Sequence, residues 1–405
     1  MRRLLPALTF IITVCVCSGI KEALPEEGLP TDKLIEYWGY PVEKHFVKTE
    51  DGYIIEIHRI PHGKHDKSIK KDRPAILLLH GLLESSASYV FNLPHQSPGF
   101  VFADNGFDVW IGNVRGNTYG KNHTSLSAKD AEFWQFSWPD LAHKDLPAMF
   151  DKVTEITGQE QIYYVAHSQA NLILFAQLSE YPEFAKRIRR HFALAPVYTV
   201  KHIKGLLQIL ARILYPNIKL AKRLLGDNEF MPNSVFMKKF ARYICNTKAG
   251  QNLICNSAIG LIAGPNSNQL NRTRISVYAS HSSAGTSTQN FLHWMQTVYR
   301  GVMERYDYRD TNTNVKYYKQ ETPPSYDVAR ISGLKMHIFS SKQDWLADPT
   351  DMENLVNTFQ KEVIQSHKIF DDYSHLDFLW GVNITQDITM PIISLIERLD
   401  GVKLK

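Results

Sequence analysis

With 405 residues, the chain is long enough for one large α/β domain carrying an insertion, or for two domains. Hydrophobic residues make up 44% and charged residues 21%, the balance of a globular protein with a large core, and no internal repeat or low-complexity segment breaks it. The formal net charge of +5 drops to +3 once residues 1–19 are set aside, which gives no support for a nucleic-acid partner.

Those first residues have their own pattern. Arg2 and Arg3 precede an apolar run from Leu4 to Cys17, and Ser18 and Gly19 follow it, as in a secretory signal peptide. The run is too short for a comfortable membrane span, and no other stretch is apolar enough for one, so a soluble mature protein is expected. Cys15 and Cys17 leave with the signal. Cys245 and Cys255 remain, in a chain bound for an oxidising compartment, and are expected to pair; the alternative is two free buried thiols. Sequons at Asn122, Asn271 and Asn383 agree with secretion.

Residues 20–32 read as a polar loop, and Tyr37 to Pro41 as an aromatic turn. His45 to Thr49 and Tyr53 to Ile60 alternate around Glu50-Asp51-Gly52, predicting a β-hairpin. Lys64 to Lys71 is a basic surface loop. Ala75 to Leu79 is continuously apolar, as in a parallel strand covered on both faces. His80-Gly81-Leu82-Leu83 follows it. Phe107 to Gly112 predicts another strand, Trp134 to Met149 runs into a helix, and Phe192 to Ala195 predicts the strand before Pro196. Alternating strands and helices imply a mostly parallel sheet.

Between the last two of these lies Gln161 to Asn171. Ile162 to Val165 reads as a buried strand, and helical spacing begins at Asn171 with Leu172, Ile173, Phe175, Ala176 and Leu178. At the corner stands Ala166-His167-Ser168-Gln169-Ala170. A serine there, with small residues two before and two after, is the nucleophile-elbow pattern, which lifts the hydroxyl above the sheet at a helix N-terminus. A plain helix cap has the same look, so the reading depends on partners elsewhere. In such hydrolases the sequence after the third strand supplies half of an oxyanion hole. Here that would be the Leu82 N–H, with the Gln169 N–H as the other half.

From about Val200 to about Arg330 helical segments dominate. Ile203, Leu206, Leu207, Leu210, Ile213 and Leu214 form one apolar face flanked by Lys201, Lys204 and Arg212, suited to packing or to a lipid surface. Phe291 to Tyr299 is a further aromatic-rich helix. A region of this length is an inserted helical cap (200–330) rather than a loop, on a core formed by 20–199 and 331–405. Strand signals resume at Lys335 to Phe339 and Lys368 to Phe370, and Met390 to Leu399 is the closing helix. Just past those strands stand Asp344 and His375, which complete the chain order serine, acid, histidine. Ser168 would attack an ester carbonyl, His375 would shuttle the proton, and Asp344 would orient the imidazole. Asp348 competes for the acid role, or is a turn residue before Pro349; Asp377 reads as a helix-start acid and His167 as a packed or orienting residue. No metal-ligand cluster or phosphate-cradling loop is evident, so no cofactor is expected.

Set end to end, these residues resemble the acid lipase family of α/β hydrolases, the group containing gastric and lysosomal acid lipases. The similar stretches are Tyr37 to Pro41, Thr49 to Tyr53, His80 to Leu83, Asp108 to Trp110, Gly112-Asn113 with Arg115 to Asn117, His167 to Gln169, Ala284 to Ser287, His293-Trp294, Asp344 with Leu346 to Pro349, and His375 to Phe378. The resemblance implies an α/β-hydrolase fold and a secreted or lysosomal protein, and a monomer is expected. It implies a lipase acting on triglycerides or cholesteryl esters at a lipid–water interface, with a cap and lid. It supports Ser168, Asp344 and His375 as triad, Leu82 and Gln169 as oxyanion donors, and the Cys245–Cys255 pairing. Two departures stand out. The family's elbow carries glycine where Ala166 and Ala170 stand, and Ser283 replaces a usual proline. The extra methyls leave open a low-turnover lipid-binding protein; a short-chain esterase or thioesterase would use the same machinery.

Overall fold

The expected hairpin forms. In the computed structural model, which describes residues 24–66, 72–234, 256–265 and 267–404, β1 (Glu43–Lys48) and β2 (Tyr53–Ile60) pair antiparallel. The expected signal peptide and the Cys245–Cys255 pairing lie outside the described residues. The remaining strands are β3 (Ala75–Leu79), β4 (Asp108–Ile111), β5 (Asn122–His123), β6 (Ile162–His167), β7 (Ile188–Leu194), β8 (Glu229–Phe230), β9 (Thr286–Ser287), β10 (Met336–Ser341) and β11 (Ile364–Phe370). One sheet runs β1-β2-β4-β3-β6-β7-β10-β11, with β5 attached to β2. Every neighbouring pair from β4 to β11 is parallel, whereas β2 meets β1, β4 and β5 antiparallel. β3 and β6 are buried along their whole length, which is why both read as unbroken apolar runs. β11, at the edge, buries no side chain fully: four are exposed and three half-buried.

Parallel neighbours need crossovers, and helices supply them. In chain order they are α1 (Thr31–Tyr37), α2 (Pro98–Asp104), α3 (Leu146–Thr157), α4 (Gln169–Glu180), α5 (Leu206–Leu214), α6 (Ile218–Leu225), α7 (Asn256–Ala263), α8 (Ile275–His281), α9 (Thr288–Arg300), α10 (Thr311–Tyr318), α11 (Pro349–Thr358), α12 (Asp377–Trp380) and α13 (Met390–Asp400). α3 ends at Gly158, whose φ of +70° closes the helix at no steric cost. α4 is buried on every side from Gln169 to Leu178, because it packs on β6, on the turn at 182–187 and on the segment Val328–Arg330. Its N-terminus therefore points at the end of β6 from a fixed position.

Three segments differ from their expected form. Residues 31–37 are helical, and the preceding stretch is no solvated loop. Glu26 is buried and accepts a 2.9 Å hydrogen bond from Nη1 of buried Arg274, a partner 248 residues away. β7 begins four residues before the expected Phe192, at Ile188. It tolerates Arg190 because that guanidinium makes a two-pronged bond to Asp400 (2.9 and 2.7 Å). Among the helices between β7 and β10, β8 and β9 form a two-residue pair too short to register as a period.

Candidate active site

Ser168 follows β6 and precedes α4, at φ 54° and ψ −120°. A non-glycine residue in that region is strained and is held there only by its surroundings. The clamps are visible. The Ser168 N–H donates to the Leu194 carbonyl (3.0 Å), and the Asn171 side-chain amide donates to the carbonyls of Ala166 (3.0 Å), Ser168 (3.2 Å) and Leu194 (3.3 Å). Ala166 sits in register with Leu79 and Ala193 of the flanking strands, and Ala170 is fully buried. Both extra methyl groups are thus accommodated with the serine still in the elbow conformation.

The sequence-predicted triad residues come together. Ser168 Oγ lies 2.8 Å from His375 Nε2, and His375 Nδ1 lies 3.0 and 2.9 Å from the two carboxylate oxygens of Asp344. All three side chains are buried. Asp344 Oδ1 also accepts the Leu346 and Ala347 N–H groups, both at 2.8 Å, which fixes it as the acceptor. His375 therefore donates from Nδ1 and presents the lone pair of Nε2 to the serine hydroxyl. Its own N–H donates to the Ala263 carbonyl (3.1 Å) at the end of α7. The competing acid, Asp348, is occupied elsewhere: it caps α11 through the Thr350 N–H (2.8 Å) and pairs with Lys204 (2.8 Å). Asp377 starts α12 and fastens the histidine loop by accepting the Ser374 N–H at 2.6 Å and the Ser267 hydroxyl at 2.5 Å.

The turn after β3 comes over the nucleophile. A Cβ at Gly81 would lie 2.9 Å from Glu84 Oε2, 3.0 Å from Ser168 Cβ and 3.1 Å from His167 Nδ1, so only glycine lets the backbone approach this closely. Neither the Leu82 nor the Gln169 N–H has an acceptor among the described residues. Gln169 is pinned by its side chain, whose Oε1 accepts Trp294 Nε1–H (2.7 Å) and Asn290 Nδ2–H (3.2 Å) from α9. That gives the Ala284–Ser287 and His293-Trp294 stretches physical roles. Ser287 caps α9, the Ala284 N–H donates to the Leu83 carbonyl (2.7 Å), and neutral His293 bridges Ser137 and the Glu304 carbonyl, burial holding it down at about 3.

His167, read from the sequence as a packed or orienting residue, is packed under the site against a partner the sequence reading missed, Glu84. Glu84 Oε2 accepts the Gly81 N–H (2.8 Å) and lies 3.0 Å from His167 Nδ1; His167 Nε2 lies 3.0 Å from the His375 carbonyl oxygen. Burial pushes the Glu84 carboxyl up, but the His167 ring outweighs it and holds the group at about 2. Burial likewise pushes His167 down, and Glu84 overrides it, so the imidazole is raised. No local pattern announces such a pair, since its members stand 83 residues apart.

Of the sequons, Asn122 and Asn383 are exposed, while the half-buried Asn271 caps the turn Arg272–Arg274. One group among the described residues has the composition of a metal site, Asp32, Glu56 and His58. The Lys44 ammonium already stands 3.6 Å from both carboxylates and answers their charge.

Comparison with known proteins agrees in fold. Residues 31–93 match a partial alpha/beta-hydrolase lipase region, and residues 74–382 match the alpha/beta hydrolase fold. The chain is 45% identical over 374 residues to lipase lipl-3 of Caenorhabditis elegans, and 41% identical over 374 residues to the lysosomal acid lipase/cholesteryl ester hydrolase of Homo sapiens. Each alignment spans 92% of both chains. Among solved structures, an alpha/beta hydrolase fold protein from Nakamurella multipartita superposes with a TM-score of 0.51 at 13% identity, covering 87% of this chain and 98% of that one.

Proposed function

The chain belongs to the acid lipase family of α/β hydrolases, and from that premise we propose that it hydrolyses carboxylic esters of neutral lipids, such as triglycerides and cholesteryl esters, through Ser168, His375 and Asp344. The observation that carries this reading is the strained Ser168 with its Oγ 2.8 Å from a histidine already oriented by a buried carboxylate. Ser168 Oγ bonds to the ester carbonyl carbon while its proton passes to His375 Nε2. The carbonyl electrons move onto oxygen, where the fixed N–H groups of Leu82 and Gln169 receive the charge. When the intermediate collapses, the C–O bond to the alcohol breaks and His375 returns the proton to the leaving oxygen. Water then repeats the sequence on the acyl-enzyme, with Asp344 stabilising the imidazolium in each half.

Residues 200–330 serve in this reading as the cap over the site, and 20–199 with 331–405 as the core. The substrate meets the protein at a lipid–water interface, a role supported by Ile209, Ile213, Leu220 and Leu224, which α5 and α6 leave more than half exposed. No described helix is long and apolar enough to cross a membrane. Residues 1–19 direct the chain to the secretory pathway, and the destination is extracellular or lysosomal. The test is hydrolysis of emulsified long-chain triglyceride and cholesteryl oleate from acid to neutral pH, with Ser168→Ala as control. Serine-dependent release of fatty acid is expected. No activity above the control, in folded and glycosylated protein, would replace this reading with lipid binding.

A further inference from the structure

The chain of contacts under the active site links three separate loops: Gly81 N–H to Glu84, Glu84 to His167, and His167 to the carbonyl of His375. Its donors and acceptors can be counted. The His375 carbonyl only accepts, so the contact at His167 Nε2 needs a proton on that nitrogen. Glu84 is held ionised beside the His167 ring and so only accepts, from the Gly81 N–H and at the 3.0 Å contact with His167 Nδ1, which therefore needs a second proton there. A neutral His167 beside an ionised Glu84 satisfies only one of these contacts. In either tautomer a nitrogen lone pair then faces an oxygen lone pair at 3.0 Å, toward Glu84 or toward the His375 carbonyl. Neighbouring His80 shows the contrast. Its Nδ1 donates to the Gly81 carbonyl (2.8 Å) and its Nε2 accepts from the Asn117 amide (3.1 Å), so the neutral ring is fully satisfied.

We propose that His167 and Glu84 form a proton-bearing ion pair that positions the oxyanion turn against the loop of His375, and that loss of this proton as pH rises sets an alkaline limit on turnover. This rests on the lipase reading above. The titratable groups facing the pair are His80 and Tyr89 beside Glu84, and His375 with Asp344 beside His167; the His167 and His375 rings stand 4.9 Å apart. The direction of the effect follows from the two shifts. The raised histidine contributes its stabilisation at low pH and loses it as pH climbs through its raised value. The depressed carboxyl loses its share only as pH falls toward about 2. Between those limits the link holds. Above the upper one, either the turn bearing Leu82 or the loop bearing His375 is released.

The decisive measurement is kcat and KM on a water-soluble short-chain ester across pH, for the parent and for Glu84→Gln. Glutamine keeps the shape but leaves His167 without its counter-charge, so the alkaline limb of kcat moves to lower pH by about one unit or more, while KM changes less than about twofold. A folded Glu84→Gln protein whose profile superimposes on the parent's overturns the proposal. Should that variant not fold, nitrogen-15 histidine spectra of the Ser168→Ala protein decide. A buried imidazolium persisting to neutral pH, with both ring protons bonded, is expected, and a neutral His167 throughout the active range overturns it. Failure of a fluorophosphonate to label Ser168 in the parent would sink the lipase reading instead, and leaves the spectrum free to be judged by itself.

Discussion

Two apolar helices of this protein look alike in sequence and behave oppositely. α4 carries Leu172, Ile173, Leu174, Phe175 and Leu178, all fully buried behind the nucleophile. α5 carries Leu206, Leu207, Ile209, Leu210, Ile213 and Leu214, yet only Ala211 is fully buried. Leu207, Leu210 and Leu214 face the packed side, next to Ala211, while Leu206, Ile209 and Ile213 turn to solvent. At 100° per residue the apolar arc of α5 is wider than its contact with α9 can cover. The same residue type therefore does two jobs. In α4 it holds a strained serine in place, and in α5 it leaves apolar area available to something other than the protein.

The comparison predicts that changes on the α4 side harm every substrate alike. The largest effect is at its first turn: Ser168→Ala should lower kcat by roughly 10⁴-fold or more on soluble and emulsified esters equally, with stability unchanged. A folded Ser168→Ala protein that kept a tenth of its turnover would place the nucleophile elsewhere. Next, Phe175→Ala removes a ring that packs edge-on against Phe359 at 5.1 Å and should cost about 3–5 kcal/mol in a denaturant titration. A loss below about 1 kcal/mol would mean that α4 is less tightly held than its burial implies.

The α5 side should respond selectively. Replacing Ile209 and Ile213 together by serine removes two side chains that are 55% and 59% exposed. Stability should stay within about 0.5 kcal/mol, and activity on a soluble ester within about twofold. Activity on an emulsion should fall at least about tenfold, since burying even one isoleucine is worth roughly 1.5–3 kcal/mol and 1.4 kcal/mol is a factor of ten. An equal loss on both substrates would return α5 to an ordinary packing role and erase the contrast.

What could be read from the sequence divides along a related line. β3, β6, Ser168, Asp344 and His375 were legible because each announces itself locally, as an apolar run or as a reactive side chain just past one. The supports were not. Asn171 looks like a helix residue until its amide is seen to gather three carbonyls, and Glu84 gains meaning only when folding brings His167 to it. α1 was hidden by the polar residues before it, whose partner Arg274 is far along the chain. The face read on α5 was also imperfect. The helix starts after Gly205, at φ +73°, so Ile203 lies before it and is buried separately, while Ile209 joins the exposed side. Proline's fixed φ of about −65° likewise could not serve at position 283, where Ser283 sits at +62° and donates to the Met231 carbonyl.

The smallest effect, and the sharpest probe of the buried side, concerns the two elbow alanines. Ala166 and Ala170 stand where glycine is usual, yet Ser168 keeps its left-handed backbone and its 2.8 Å bond to His375. Glycine at 170 would loosen the first turn of α4 by up to about 1 kcal/mol, and glycine at 166 would weaken β6 by roughly 0.5–1 kcal/mol. The double change to glycine should therefore lower stability by about 1–2 kcal/mol while leaving turnover equal or higher, because Asn171 still gathers the elbow carbonyls and Asn290 and Trp294 still pin Gln169. Stopped-flow acylation with a soluble ester, beside a denaturant titration, reads both numbers. A large loss of turnover in folded protein would show the opposite coupling: that the methyl groups themselves press the elbow into its reactive form, and that α4 is tuned for strain as well as for burial.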